Sequence, residues 1–126
     1  MEKNILVVDD DAQMRMSLLH ILRREGYQVQ EAGNGQQAID FIDAPDADYD
    51  LVLMDIIMPD KEGVETILYL RKRYPDLKII AMSGGARLFD FDPLRLARDC
   101  GANFTLAKPF EPADLRAMLR LCLQGE

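Results

Sequence analysis

Tryptophan is absent from this chain, histidine occurs once, as His20, and cysteine twice, as Cys100 and Cys122. So few nitrogen and sulfur donors cannot furnish the ligand sets that most zinc sites require. A Ser-His-Asp relay would have to run through His20, which sits inside an apolar helical pattern and reads as an ordinary helix residue. The cysteines lie far apart without a CxxC spacing and read as reduced, buried thiols rather than a disulfide framework. No apolar run approaches the roughly 18 residues of a membrane span. The chain passes from residues 1–8 straight into Asp9, Asp10 and Asp11, leaving no room for the apolar core and cleavage site of a secretory signal. The expectation is a cytoplasmic protein with no membrane contact.

Positive charge is also in short supply. Lys and Arg number 15 against 22 Asp and Glu, a formal net charge of −7, and such a field repels phosphate backbones. Nucleic-acid binding by this chain is not expected. Its 126 residues suit one domain, and no repeat, linker or low-complexity segment divides them. One domain over residues 1–126, with no second domain, is therefore predicted.

Residues 5–8 (ILVV), 51–54 (LVLM) and 79–82 (IIAM) are nearly unbroken apolar runs, the pattern of strands buried on both faces of a parallel sheet. Residues 27–31 (YQVQE) alternate apolar with polar, and residues 103–107 (NFTLA) are short and mixed, as edge strands are. Between them Met14, Leu18, Ile21 and Leu22 recur at helical spacing, with Gly26 as a stop. A second helix is predicted from about Gln36 to Ile42 before Pro45, and a third from Val64 to Tyr74 before Pro75, carrying Ile67, Leu68 and Leu70 inward. A fourth covers residues 93–100, with Asp92 as cap, Pro93 in the first turn and Gly101 beyond the end; a fifth runs from Pro112 to about Leu123. Strand and helix thus alternate five times, which predicts an α/β fold: an open, doubly wound (βα)5 domain with a five-stranded parallel sheet.

In such sheets ligands bind beyond the carboxyl ends of the strands. Asp9, Asp10 and Asp11 follow the first strand, Asp55 the third, Ser83 the fourth, and Lys108 with Pro109 the fifth; after the second comes only residues 32–35 (AGNG). If Asp9, Asp10 and Asp55 converge, they repel one another unless a divalent cation and the Lys108 ammonium compensate. Oxygen ligands without Cys or His select a hard ion, and a few carboxylates completed by a backbone carbonyl and water suit Mg²⁺ better than Ca²⁺. A carboxylate beside Mg²⁺, an ammonium and a hydroxyl is equipment for phosphoryl transfer onto carboxylate oxygen, with Asp55 as the nucleophile. Asp11 reads as a helix cap rather than a ligand.

Residues 5–10 (ILVVDD), 51–55 (LVLMD), 58–59 (MP), Gly63, 82–84 (MSG) and 108–110 (KPF) together resemble the receiver domain of two-component response regulators, in order and over nearly the whole chain. That resemblance implies a CheY-like, flavodoxin-like sheet in the order 2-1-3-4-5 and a cis Lys108-Pro109 bond. It implies that Asp55 is the phosphoacceptor, that Asp10 and Asp55 bind Mg²⁺ with the main-chain carbonyl of Ile57, and that Asp9 assists through water. Ser83 and Lys108 would contact the phosphoryl group. The implied partners are a sensor histidine kinase or histidine phosphotransfer protein as donor and a downstream protein as target. The implied chain is a switch rather than an enzyme.

Three positions bear on how that switch would run. Many members of the family carry Tyr or Phe three residues before the lysine, where this chain has Thr105, and Phe104 cannot substitute because adjacent strand residues face opposite sides of the sheet. Ile57 supplies no acid or base to orient water, so self-dephosphorylation is expected to be slow. The long connection over residues 84–92 carries Leu88, Phe89 and Phe91. The alternative reading is a degenerate receiver acting as a phosphorylation-independent interaction module. An aspartyl-phosphate phosphatase fits less well because the candidate nucleophile follows the third strand, and a flavin site because Asp9, Asp10 and Asp11 would repel its phosphate. The basic residues Arg23, Arg24, Arg71, Lys72 and Arg73 fall on late helical turns and complement the helix dipole.

Overall fold

The computed structural model describes residues 3–56, 62–83 and 93–124. Ile57, Met58, Pro59, the connection over residues 84–92 and the expected Asp92 cap lie outside the described residues. The apolar runs become the strands β1 (Asn4–Val8), β3 (Leu51–Asp55) and β4 (Lys78–Ser83), and the polar ones β2 (Gln28–Ala32) and β5 (Phe104–Ala107). Helices α1 (Ala12–Arg24), α2 (Gly35–Asp43), α3 (Glu62–Arg73), α4 (Pro93–Cys100) and α5 (Pro112–Gln124) alternate with them. The sheet is parallel throughout, in the order β2-β1-β3-β4-β5, so the two mixed strands are its edges as predicted.

Because side chains alternate along a strand, each apolar strand feeds two cores. Leu6, Val8, Val52, Met54, Ile79 and Ala81 pack on one face with Ile42 of α2, Ile67 and Leu70 of α3 and Ala97 of α4. Ile5, Val7, Leu51, Leu53, Ile80 and Met82 pack on the other with Leu18 and Leu22 of α1 and Leu115 and Leu119 of α5. With helices on both faces, the loops at the carboxyl ends of the strands remain the place for polar chemistry. No helix among the described residues is long and apolar enough to cross a membrane.

Local signals set the helix ends. Asp11 caps α1, its carboxylate accepting the N–H groups of Gln13 at 2.9 Å and Met14 at 3.4 Å, as the sequence predicts. Gly26, at φ 93°, takes the left-handed conformation that ends this helix, and Gly101, at φ 124°, does so after α4. Asn34 caps α2 through Gln37 N–H at 2.8 Å. At the far end of α2, Asp43 accepts the hydroxyls of Tyr74 and Tyr69, which hold its carboxyl below the usual carboxylate range and join α2 to α3. Cys122 is buried and Cys100 half-buried, neither in a disulfide, and burial pushes the Cys122 thiol up.

Three details differ from the sequence reading. Leu68 does not point inward: it is 50% exposed, whereas Thr66, Ile67 and Leu70 are buried, because at about 100° per residue Leu68 turns away from the stripe that its neighbours form. Tyr27 is not part of β2; its N–H bonds to the Leu22 carbonyl at 3.2 Å and closes the helix end instead. Arg71 does more than face the helix dipole. It donates to the Gly101 carbonyl at 2.9 Å, the Pro75 carbonyl at 2.8 Å and Asn103 Oδ1 at 2.8 Å, tying the end of α3 to the start of β5. Thr105 is half-buried and pairs in register with Ala81, while Phe104 packs into the α1/α5 core, so Phe104 cannot serve in the place of Thr105.

The two leucines of α3 provide a test. Leu70→Ala is expected to cost about 2–5 kcal/mol by loss of burial plus a cavity. Leu68→Ala should stay within about 0.5 kcal/mol of the parent, as exposed substitutions do. Urea denaturation of both variants checks the assignment, and equal losses would contradict it.

Candidate functional site

Five polar residues collect at the carboxyl ends of four strands. Asp9 and Asp10 follow β1, Asp55 is the last residue of β3, Ser83 the last of β4, and Lys108 follows β5. Asp9 and Ser83 are fully buried and Asp55 is 4% exposed, while Asp10 faces solvent. Parallel pairing brings them together: β1 and β3 are adjacent, as are β3 and β4, and β4 and β5. Carboxylate oxygens of Asp9, Asp10 and Asp55 lie within 4.8 Å of one another.

Lys108 answers this concentration of negative charge. Its Nζ donates to Asp9 Oδ2 at 2.9 Å and stands 3.6 Å from Asp55 Oδ2, with only 18% of its side chain exposed. Backbone bonds fix the lysine's origin: Lys108 N–H donates to the Ser83 carbonyl at 2.6 Å, and the Lys108-Pro109 bond is cis, as the resemblance implied. The other Asp9 oxygen, Oδ1, accepts Asp11 N–H at 2.9 Å. Buried carboxylates of this kind persist only with such partners. Among the described residues one ammonium meets three carboxylates, and the donor set, oxygen only and open to water at Asp10, fits a hard divalent cation. Ile57, whose carbonyl the sequence reading assigned to that cation, is outside the described residues.

Two further residues shape the site without having been singled out in the sequence as its members. Arg15, one turn into α1, donates from Nη1 to the Asp9 carbonyl at 2.6 Å and from Nε to Glu31 Oε1, near the end of β2, at 2.8 Å. Only their positions near two strand ends hint at this; the spacing from Arg15 to Glu31 matches no motif. Gly63, noted only as part of a resemblance, brings the first turn of α3 against β3. A Cβ there would collide with Ile56 Cα and stand 2.7 Å from the Asp55 carbonyl oxygen.

Residues 5–120 match the family model for the response regulator receiver domain. Among curated relatives, the transcriptional regulatory protein CpxR of Escherichia coli K12 is 36% identical over 120 residues, covering 95% of this chain and 49% of its own length. The transcriptional regulatory protein PdtaR of Mycobacterium tuberculosis H37Rv is 33% identical over 122 residues, covering 96% of this chain and 57% of its own. The chain thus spans about half the length of the curated relatives it matches. A CheY-like receiver domain protein from Methanospirillum hungatei JF-1 superposes with a TM-score of 0.87 at 32% identity, covering 99% of this chain and 96% of that one. The chain belongs to the response regulator receiver domain family, the phosphoacceptor module of two-component signalling.

The close approach at Gly63 is open to test. Gly63→Ala is expected to destabilise the fold by about 1–3 kcal/mol, since the extra methyl must displace the backbone beside Asp55. An unchanged urea midpoint would contradict the contact.

Proposed function

We propose that Asp55 is the phosphoacceptor of this receiver and that Asp9, Asp10, Ser83 and Lys108 serve it. The observation that carries the reading is the Lys108 ammonium set between Asp9 and Asp55, beside an acidic trio whose oxygens lie within 4.8 Å. An Asp55 carboxylate oxygen attacks the phosphorus of a phosphohistidine on a kinase or histidine phosphotransfer protein. The O–P bond forms as the P–N bond breaks, and that bond's electron pair leaves on the imidazole nitrogen, which takes up a proton from solvent. Lys108 offsets charge on the phosphoryl oxygens, and the Ser83 hydroxyl donates a hydrogen bond to one of them. Asp10 and Asp55, with the Ile57 carbonyl, would hold Mg²⁺, and Asp9 would assist through water. The bound cation supplies charge neutralisation at the transferring group.

Modification then alters the surface read by a downstream protein. Convergence of the acids with Lys108 favours this over a module that ignores phosphorylation. The reading takes residues 1–126 as one receiver domain, supported by a single sheet that runs through all five strands. It includes a cytoplasmic setting, which the two free cysteines suit. Self-dephosphorylation is slow on this reading, because Ile57 brings neither acid nor base toward the acyl phosphate.

Incubation with acetyl phosphate and Mg²⁺ is expected to add one phosphoryl group by intact mass. Asp55→Asn should abolish the adduct, and chelation of Mg²⁺ should prevent it; an adduct that survives both would exclude Asp55 as acceptor. The adduct of the parent chain is expected to decay severalfold more slowly than that of Ile57→Asn, followed by the same mass measurement. Equal decay would remove the argument from Ile57.

A further inference from the structure

Arg15 lies beside the acidic trio but makes none of its contacts to a carboxylate of that trio. Its planar guanidinium uses one edge for the Asp9 carbonyl, at 2.6 Å, and Nε for Glu31 Oε1, at 2.8 Å. Its side chain is 20% exposed, against 44% for Glu31. An exposed ion pair of this sort contributes little to stability by itself. Its consequence is geometric: with Nε held by Glu31, the planar fork turns Nη1 toward the Asp9 carbonyl.

That direction ends on the peptide plane joining Asp9 to Asp10. Asp9 is otherwise tightly held, through its N–H to the Ala32 carbonyl at 3.2 Å and its carboxylate to Asp11 N–H and Lys108 Nζ, each at 2.9 Å. Asp10 is the exposed member of the trio. Its Cα is the last of the six atoms of the plane whose oxygen Arg15 grips, so the direction in which its side chain leaves the backbone depends on how that plane is set.

We propose that Arg15, anchored by Glu31, is a positioning residue that presets Asp10 for the cation by fixing the Asp9-Asp10 peptide. The inference rests on reading Asp9, Asp10 and Asp55 as a Mg²⁺ site. It makes a prediction of definite sign. Removing a cationic side chain from the neighbourhood of a cation site should, by charge alone, tighten binding of the cation. Loss of positioning weakens it, as removal of outer-shell partners does elsewhere, by about ten- to a hundredfold.

Calorimetric titration of Mg²⁺ into the parent chain, Arg15→Met and Arg15→Lys separates the two. Arg15→Met is expected to bind Mg²⁺ about ten- to a hundredfold more weakly. Arg15→Lys, which keeps the charge without the two-donor fork, should fall between it and the parent. The rate of modification by acetyl phosphate should fall at limiting Mg²⁺ and return to the parental value at saturation, a split that general loosening of the fold would not produce. Binding by Arg15→Met equal to or tighter than the parent's overturns the proposal, as does a rate that saturating Mg²⁺ fails to restore. Should Arg15→Met not fold by circular dichroism, Arg15→Lys is judged by the same criteria. A parent chain that takes up no Mg²⁺ would instead overturn the reading of the site itself.

Discussion

Burial of like charge at one end of the sheet is the constraint on which the rest of this structure turns. Asp9 and Asp55 sit almost fully out of water, and taking carboxylates into such an environment is costly unless each is paired and hydrogen-bonded. Lys108 meets that demand by reaching from beyond β5 to the ends of β1 and β3. The pairing ties together strands that are not neighbours, and so links the arrangement of the whole sheet to the electrostatics of one corner.

The compensation is incomplete, and that incompleteness is what suits the corner to a switch. A fully neutralised cluster would be inert, whereas among the described residues three carboxylates face one ammonium, an arrangement that favours a further positive charge. On the proposed function a cation supplies that charge and readies the corner for a phosphoryl group, whose arrival redistributes charge around Lys108 and Ser83. The surrounding backbone is held firmly. Gly63 seats α3 against the Asp55 carbonyl, the Ser83 carbonyl receives Lys108 N–H, and Arg71 pins the start of β5 from the end of α3.

Much of this was legible in the residues. Short unbroken apolar runs have the pattern of strands covered on both faces, and the mixed runs 27–31 and 103–107 that of edges with one wetter side. Asp11 as a cap followed from its place before a helical pattern, and the approach of Asp9, Asp10 and Asp55 from the rule that parallel strands deliver their carboxyl ends to one edge. Leu68 was misread because apolar character alone does not say which side of a helix a residue occupies; its exposure follows from angular position relative to Ile67 and Leu70.

What the amino-acid sequence determined by itself was therefore the inventory and its order: which segments are strands, which residues stand at their ends, and which charges must be reconciled there. These follow from period and composition, which are local properties of the chain. Tertiary structure alone decided who pairs with whom. Lys108 sits closer to Asp9 than to Asp55, Arg15 grips a carbonyl instead of a carboxylate, and Arg71 spans two loops instead of merely facing a helix dipole. Hydrogen bonds between residues far apart in sequence depend on distances of a few tenths of an ångström, and only the packing of helices onto the sheet sets those distances.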